Sequence, residues 1–196
     1  MEGLHFKSFV GAEIVEVMEP LAKLRITVFR DYPYLYDGDI AYEKEYLQTY
    51  IQATEAFLFA VFDGTQMVGA TTCIPLSAET SEVQKPFIEA GLALKSICYF
   101  GESILLTAYR GHGLGVRFFK EREAHARQIG SSVTCFCAVK RPDNHPLRPM
   151  DYLDLAEFWM HRGYSKSDTL KSTFEWKDID EPTASPKLME YWLKEL

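Results

Sequence analysis

Short stretches rich in β-branched and aromatic residues predict the strands of this chain. Residues 56–63 and 67–74 alternate apolar and polar positions on either side of Gly64, which predicts a β-hairpin. Similar stretches predict a long strand over residues 96–107, a strand over 132–139 and a last strand over 173–176. Residues 5–17 are expected to form one or two short strands, or a strand and a turn.

Apolar residues spaced three and four positions apart predict the helices. Pro20 stands where a helix commonly begins, and the spacing after it predicts a helix to about Arg30. The same spacing predicts helices over residues 42–54, 80–90 (interrupted by Pro86), 114–129, 155–164 and 185–196. This order of elements predicts a mixed sheet with helices on both sides, which is an α/β architecture.

The helix expected over residues 185–196 would carry one apolar stripe. The stripe consists of Leu188, Met189, Trp192 and Leu196. We expect it to pack in the core, and a contact with a second copy of the chain, a homodimer, is the alternative.

Composition indicates one domain that spans residues 1–196, with 47% hydrophobic and 25% charged residues. The formal net charge of −7 argues against nucleic acid as a partner and favours small cationic molecules. Neither a membrane-spanning segment nor a signal region is evident, so we expect a cytoplasmic location and no membrane partner. The cysteines lack metal-binding spacing, so we expect no metal and four free thiols, Cys73, Cys98, Cys135 and Cys137.

The most informative segment is 105–116, which has the sequence LLTAYRGHGLGV. An apolar run gives way to glycines at positions 111, 113 and 115, where the helix over residues 114–129 is expected to begin. Glycine tolerates positive φ and lets a ligand approach the backbone, and the free N–H groups of a helix N-terminus attract anions. The segment therefore predicts a cradle for a pyrophosphate.

Two common phosphate-binding loops do not fit this glycine spacing. The dinucleotide-binding fingerprint needs a glycine where Val116 stands, and the nucleotide P-loop needs Gly-Lys-Ser/Thr. An ordinary glycine-rich turn is the plainer alternative. Basic residues that fit either an anionic cofactor or a solvated helix face follow in this region: Arg110, Arg117, Lys120, Arg122 and Arg127.

The spacing that remains, Arg110-x-x-Gly113-x-Gly115, resembles the Arg/Gln-x-x-Gly-x-Gly/Ala motif of the GNAT superfamily of acyl-CoA-dependent N-acyltransferases. Residues 155–164 resemble the last helix of that family, and the likeness extends over roughly residues 57–176. The resemblance implies an α+β fold in which helices cover both faces of a mixed, mostly antiparallel sheet. It also implies acetyl-CoA, or another acyl-CoA, as the cofactor.

The resemblance further implies which residues bind this cofactor. The pyrophosphate would be held by the loop and the start of the next helix, that is by Arg110, Gly111, His112, Gly113, Leu114, Gly115 and Val116. The backbone N–H of Leu105 would donate to the thioester oxygen, which becomes negative during the reaction. Asn144 matches a polar position near the pantetheine arm, and a turn-forming role is the alternative.

An amine must lose a proton when it is acylated, and the resemblance implies Glu102 as the general base, since it lies on the strand before the loop at a position that often carries a glutamate in that family. Partial burial would raise the pKa of its carboxyl, and the alternatives are a structural ion pair or an exposed strand residue. The family often places a tyrosine in its last helix to protonate the leaving thiolate, but Trp159 stands there. Tyr152 is the nearest substitute; otherwise water protonates the thiolate or the thiolate leaves unaided.

The acceptor side of the site is expected at the loop over residues 31–39, which is rich in aromatic and acidic residues. Tyr34, Tyr36 and Asp37 are the residues that would contact a cationic amine. The alternative is that the tyrosines pin the loop to the core and that its acidic residues are solvated.

These features predict an enzyme that moves an acetyl group from acetyl-CoA to a primary amine of a small cationic substrate, by direct attack with general-base help. Two alternatives stay open. Residues 24–29 have the sequence LRITVF and resemble a stretch near the start of acyl-homoserine-lactone synthases, which are acyltransferases. Trp159 also fits a protein that binds acyl-CoA without catalysis, as a sensor or interaction module.

Overall fold

The computed structural model describes residues 3–196, and its centre is a sheet of eight strands. In chain order these are β1 (Leu4–Val10), β2 (Phe57–Asp63), β3 (Gln66–Pro75), β4 (Ile97–Tyr99), β5 (Ser103–Leu105), β6 (Val133–Val139), β7 (Ser165–Trp176) and β8 (Ser185–Glu195). Their order across the sheet is β1-β2-β3-β4-β6-β8-β7, and β5 also pairs with β3. Among the described strands only β4 and β6 run parallel, which confirms the expected mixed, mostly antiparallel sheet.

Helices cover both faces of the sheet, as expected. They are α1 (Met18–Phe29), α2 (Ile40–Gln52), α3 (Ser81–Glu89), α4 (Leu114–Gln128) and α5 (Ala156–Met160). The first three bury apolar side chains such as Leu21, Leu47 and Phe87 in one core cluster. On the opposite face α4 buries Phe118 and Phe119 in a second cluster. None of the helices between residues 3 and 196 is both long and apolar enough to cross a membrane.

The helix α3 continues through Pro86, where an interruption was expected. Proline lacks the N–H that would donate to the carbonyl of Glu82, four residues earlier. The hydroxyl of Ser172, on β7, donates to that carbonyl at 3.2 Å. A side chain from a neighbouring strand therefore replaces the missing hydrogen bond.

The helix expected over residues 185–196 is wrong, because this segment forms β8. Lys187, Met189 and Tyr191 are buried, and this period of two is the period of a strand. This period was not recognised in the sequence, because Lys187 is charged and was not expected at an inward-facing position. Its ammonium is paired there with Glu181 at 2.7 Å. Neighbouring residues point to opposite faces of the sheet, so the expected apolar stripe does not form.

Two further strands differ from their expected bounds. The strand expected over residues 96–107 is interrupted at residues 100–102, which separates β4 from β5. The strand expected over residues 173–176 begins already at Ser165. Polar residues occupy the first half of β7, so local composition gave no strand signal there.

Candidate functional site

The sheet opens between β5 and β6. The parallel pairing of β6 with β4 ends at Tyr99 and Cys135, and the N–H of Phe100 still donates to the carbonyl of Cys135 at 2.7 Å. Beyond this point β5 pairs with β3, whereas β6 pairs with β8. Among the described residues, the edge of β5 that faces away from β3 therefore has no strand partner, and a gap separates it from β6.

Leu105 presents its backbone N–H to this gap. The paired residues of an antiparallel ladder alternate between hydrogen-bonded and non-hydrogen-bonded pairs. The N–H of Leu106 donates to the carbonyl of Val68 at 2.9 Å, so the adjacent pair of Leu105 with Gly69 is non-hydrogen-bonded. The N–H of Leu105 thus points away from β3, which is the direction required of a donor to a thioester oxygen in the gap.

The glycine-rich loop follows β5 and ends at the N-terminus of α4. Gly111 and Gly113 have φ angles of 80° and 79°, in the left-handed region that favours glycine. No side chain caps the first turn of α4, which leaves its N–H groups free to meet an anion. The loop and this first turn contain all the residues predicted to hold the pyrophosphate: Arg110, Gly111, His112, Gly113, Leu114, Gly115 and Val116.

Two arginines of the expected basic surface have different surroundings. Arg110 is exposed, and its Nε donates to the carbonyl of Leu105 at 3.1 Å, which ties the loop to the end of β5. Arg122 is instead 2% exposed, and its guanidinium lies 4.1 Å from the ring centroid of Phe100. Its Nη1 donates to the carbonyl of Glu102 at 3.4 Å. Arg122 therefore supports the backbone of Glu102 from inside the protein, and its assignment to a basic surface is wrong.

Glu102 lies in a buried ion pair, which was the alternative to a catalytic role. Its Oε2 accepts from Nη1 of Arg25 at 2.5 Å, and Nε of Arg25 donates to Glu43 on α2. The Glu102 side chain is 1% exposed, and its Oε1 has no hydrogen-bond partner among residues 3–196. Burial raises the pKa of the Glu102 carboxyl, and the positive charge of Arg25 opposes this rise. The role of Glu102 as a base stays a prediction.

Another buried carboxyl lies close by, on Glu79. Its Oε1 accepts from the hydroxyl of Tyr50 at 3.0 Å, and its Oε2 accepts from the N–H of Thr80 at 2.9 Å. The hydroxyl of Tyr46 is 3.4 Å from that of Tyr50. Burial raises the pKa of the Glu79 carboxyl. Sequence reasoning missed these residues, because the partners come from separate elements and no local motif marks them.

Arg141 fixes the loop that was expected to contact the acceptor. Its Nε and Nη2 donate to the carbonyls of Pro33 and Tyr34 at 2.7 and 2.6 Å. Two further bonds, of 2.6 and 2.9 Å, join it to the carboxylate of Asp178. The indole of Trp176 also donates to the carbonyl of Tyr34, at 3.0 Å. The loop is thus pinned to the core, but through its backbone carbonyls and not through tyrosine side chains as the alternative had it. Sequence reasoning missed Arg141 and Asp178.

The other two predicted acceptor residues have separate surroundings. Asp37 pairs with Lys177 at 2.8 Å and with Arg30 at 3.3 Å, and the hydrogen bond from Lys177 holds the pKa of Asp37 below its ordinary value. Burial, followed by the nearby charge of Glu43, raises the pKa of the Tyr36 phenol. The structure therefore brings Tyr36 towards Glu43, whereas Asp37 is paired within the protein.

No protein-family model matches this sequence, and no curated protein matches it significantly. Several solved structures match its fold. A ribosomal-protein-alanine N-acetyltransferase of Brucella melitensis superposes with a TM-score of 0.61 at 12% identity, over 97% of this chain and 99% of that one. An acetyltransferase of Streptococcus agalactiae gives a TM-score of 0.59 at 13% identity over 100% of both chains. A protein assigned to the GNAT family from Desulfovibrio desulfuricans gives 0.58 at 12% identity over 98% of both.

The chain has the fold of the GNAT acetyltransferases. At these identities the likeness extends to the architecture, and it confirms the fold that the Arg110-x-x-Gly113-x-Gly115 motif implied. In this GNAT fold the gap between β5 and β6 and the glycine-rich loop lie next to each other along the chain.

Trp159 and Tyr152 lie in different parts of this GNAT fold. The ring of Trp159 packs at 5.1 Å from Phe136 and at 5.1 Å from Trp192, inside an aromatic cluster. The ring of Tyr152 lies edge-on to that of Tyr32, in the loop over residues 31–39, with the two ring centroids 4.6 Å apart. Burial raises the pKa of the Tyr152 phenol, so that it keeps its proton. Tyr152 therefore does not occupy the position of Trp159, and its role as the proton donor stays a prediction.

Asn144 lies in the loop over residues 140–155, which joins β6 to α5 and contains Tyr152. Its side chain is exposed. Its contact with a pantetheine arm stays a prediction.

Proposed function

We propose that the protein is an N-acetyltransferase that uses acetyl-CoA to acetylate a primary amine of a small cationic molecule. The observation that carries this proposal is the arrangement of residues 105–116. The N–H of Leu105 faces the gap in the sheet, and the uncapped N-terminus of α4 follows it through the glycine-rich loop. One extended molecule with a carbonyl at one end and a pyrophosphate at the other fits both groups of donors.

The side chains around the gap have defined roles in this reaction. When bound, acetyl-CoA supplies a thioester carbon that an amine can attack. The N–H of Leu105 would donate to the carbonyl oxygen, where negative charge develops. Glu102 would accept the proton that the amine loses, at Oε1, which Arg25 leaves free. Tyr152, or water, would return a proton to sulfur as the C–N bond forms and the C–S bond breaks.

The charges on the acceptor face support a cationic substrate. Three carboxyls are buried there, on Glu43, Glu79 and Glu102. Arg25 is the cation that contacts two of them. Glu79 has no cationic partner among residues 3–196, so a positively charged acceptor would favour the ionised form of these acids, which a neutral or acidic acceptor would not.

The test is release of free CoA thiol from acetyl-CoA in the presence of primary amines. The panel contains amines with a second positive charge, matched with neutral and acidic amines of similar size. The proposal predicts faster thiol release with cationic amines, together with an N-acetylated product in the mass spectrum. Acetyl-CoA that binds while no amine accelerates thiol release would contradict the proposal.

A second candidate function is acyl-CoA binding without catalysis. It is favoured by the sealed position of Glu102, whose side chain is 1% exposed and is held by Arg25. The same thiol-release assay separates the two functions, since a non-catalytic protein binds acetyl-CoA and shows no amine-dependent turnover.

A further inference from the structure

Arg25 is shared between two buried carboxylates at the base of the candidate site. Its Nη1 donates to Oε2 of Glu102 at 2.5 Å, and its Nε donates to Oε2 of Glu43. The Arg25 side chain is 11% exposed, and each carboxylate is 1% exposed. The second oxygen of each carboxylate, Oε1, is buried and has no hydrogen-bond partner among residues 3–196. One guanidinium thus donates hydrogen bonds to two carboxylates, and each carboxylate has one oxygen that accepts none from the described residues.

The guanidinium also contacts two aromatic rings. Its carbon lies 4.4 Å from the ring centroid of Tyr46 and 5.1 Å from that of Phe29. Cation–π contacts of this kind restrict the side chain in a partly desolvated site. Arg25 therefore has little freedom to turn from one carboxylate to another group.

The titratable groups around Glu102 come from several elements. They are Arg25 of α1, Glu43, Tyr46 and Tyr50 of α2, Glu79 after β3, and Arg122 of α4. The two tyrosines are neutral, because burial raises the pKa of each phenol. Burial also raises the pKa of the Glu102 carboxyl; Arg25 opposes the rise most strongly, Glu43 adds to it, and Arg122 opposes it more weakly.

We propose that Arg25 is a positioning residue that holds Glu102 as the ionised carboxylate able to accept the proton of the amine, and that the negative charge of Glu43, which Arg25 also contacts, opposes this ionisation. The inference rests on the proposed function. Only the carboxylate form can take a proton at Oε1 while the C–N bond forms and the C–S bond breaks. Arg25 therefore increases the fraction of molecules in which Glu102 is ionised, and Glu43 decreases that fraction.

The test is the titration of Glu102 in the free protein, followed by NMR of ¹³C-labelled glutamate carboxyls. The signal of Glu102 is identified by its loss in Glu102→Gln. In Arg25→Gln the titration midpoint should rise by about 1–3 pH units, because an opposite charge at hydrogen-bonding distance is lost. In Glu43→Gln it should fall, because the competing negative charge is removed. Arg25→Lys keeps the positive charge, so its Glu102 midpoint should stay close to that of the wild type.

The opposite signs distinguish positioning from a merely structural role. A loosened, hydrated core would move the midpoint towards that of an exposed glutamate in all three variants. Unchanged midpoints, or shifts of the same sign in Arg25→Gln and Glu43→Gln, would overturn the proposal. If Arg25→Gln does not fold, Glu43→Gln and Arg25→Lys still test the proposal. A rise of the Glu102 midpoint in Glu43→Gln would refute the opposing effect of Glu43.

This experiment needs neither acetyl-CoA nor an acceptor, so its result does not depend on the proposed function. Where turnover is found, the acidic limb of the pH profile of kcat/KM should move with the same signs. Midpoints that shift as expected in a protein without turnover would show that the electrostatic coupling is real and the proposed function is wrong.

Discussion

Replacing Glu102 with glutamine separates the reaction from the stability of the fold. The glutamine keeps an oxygen that can accept from Nη1 of Arg25, and only the negative charge is removed. Arg25 keeps Glu43 as an anionic partner, so the substitution leaves no buried charge unpaired. We therefore expect a free energy of unfolding within about 1–2 kcal/mol of the wild type. A buried charge left without any partner would instead cost about 3–5 kcal/mol.

Turnover should respond far more strongly than stability. If Glu102 accepts the proton of the amine, Glu102→Gln should lower kcat by roughly 10²–10⁴-fold. This loss corresponds to an increase of about 3–5 kcal/mol in the activation free energy. The dissociation constant of acetyl-CoA should not change, because the cofactor contacts are predicted in the loop and at Leu105.

Glu43→Gln is the matched control. Glu43 is equally buried, pairs with the same guanidinium and has its own unpartnered oxygen. The two variants should have similar stability in urea, and Glu43→Gln should keep at least the wild-type kcat, because removal of this negative charge favours the ionised form of Glu102. Equal losses of kcat in both variants would show that the ion pair matters only structurally. An unchanged kcat in Glu102→Gln would exclude this residue as the base.

Two further predictions concern stability. The pKa of the Glu102 carboxyl is raised on folding, so the folded state binds this proton more tightly than the unfolded state, and stability should fall as pH rises from about 4.5 through the raised value. Each tenfold difference in proton affinity contributes about 1.4 kcal/mol. Urea unfolding at a series of pH values upward from about 4.5 should therefore show a smaller fall of stability in Glu102→Gln than in the wild type. Arg141→Ala removes the hydrogen bonds of this guanidinium to Asp178 and to two carbonyls of the loop over residues 31–39, while Lys187 still lies 3.5 Å from Asp178, so it should cost about 1.5–3 kcal/mol in urea unfolding. Arg148→Ala, whose partner Asp143 is 90% exposed, should cost less than about 1 kcal/mol, and equal costs for the two arginines would contradict this account of the loop.

The elements that could be predicted from the sequence are those whose signals are local. The hairpin of β2 and β3 is marked by its composition and by the turn at Gly64, and the start of α4 is marked by the glycines before it. The strand β8 was misjudged because its apolar residues also fit a helical spacing. From the sequence alone Lys187 is expected at the surface, and its inward position is explained only by its partner Glu181. Burial of a charge depends on a partner, and the partner is set by the fold.

In the candidate site, too, the residues with local sequence signals could be predicted and those that depend on the fold could not. The glycine-rich loop is contiguous, so its residues could be named from the sequence alone. The partner of Glu102 could not, because Arg25 lies 77 positions earlier in the chain and is brought to Glu102 by the packing of α1 on the sheet. Arg141 reaches Tyr34 across 107 positions for the same reason. Such contacts follow from tertiary packing and leave no periodic trace in the sequence.

The central claim is that residues 105–116 bind the pyrophosphate and thioester of an acyl-CoA. The most direct test is calorimetric titration of the wild type with acetyl-CoA and with CoA, beside NAD and ATP. Gly113→Ala and Gly130→Ala form a matched pair at opposite ends of α4, since both glycines have a φ of 79° and neither would place a Cβ against a neighbour. Each should cost about 1–2 kcal/mol of stability, but only Gly113→Ala should weaken CoA binding, by about tenfold or more. Micromolar binding of the two CoA species alone is the predicted result, and absence of CoA binding would show that the loop is only a structural turn.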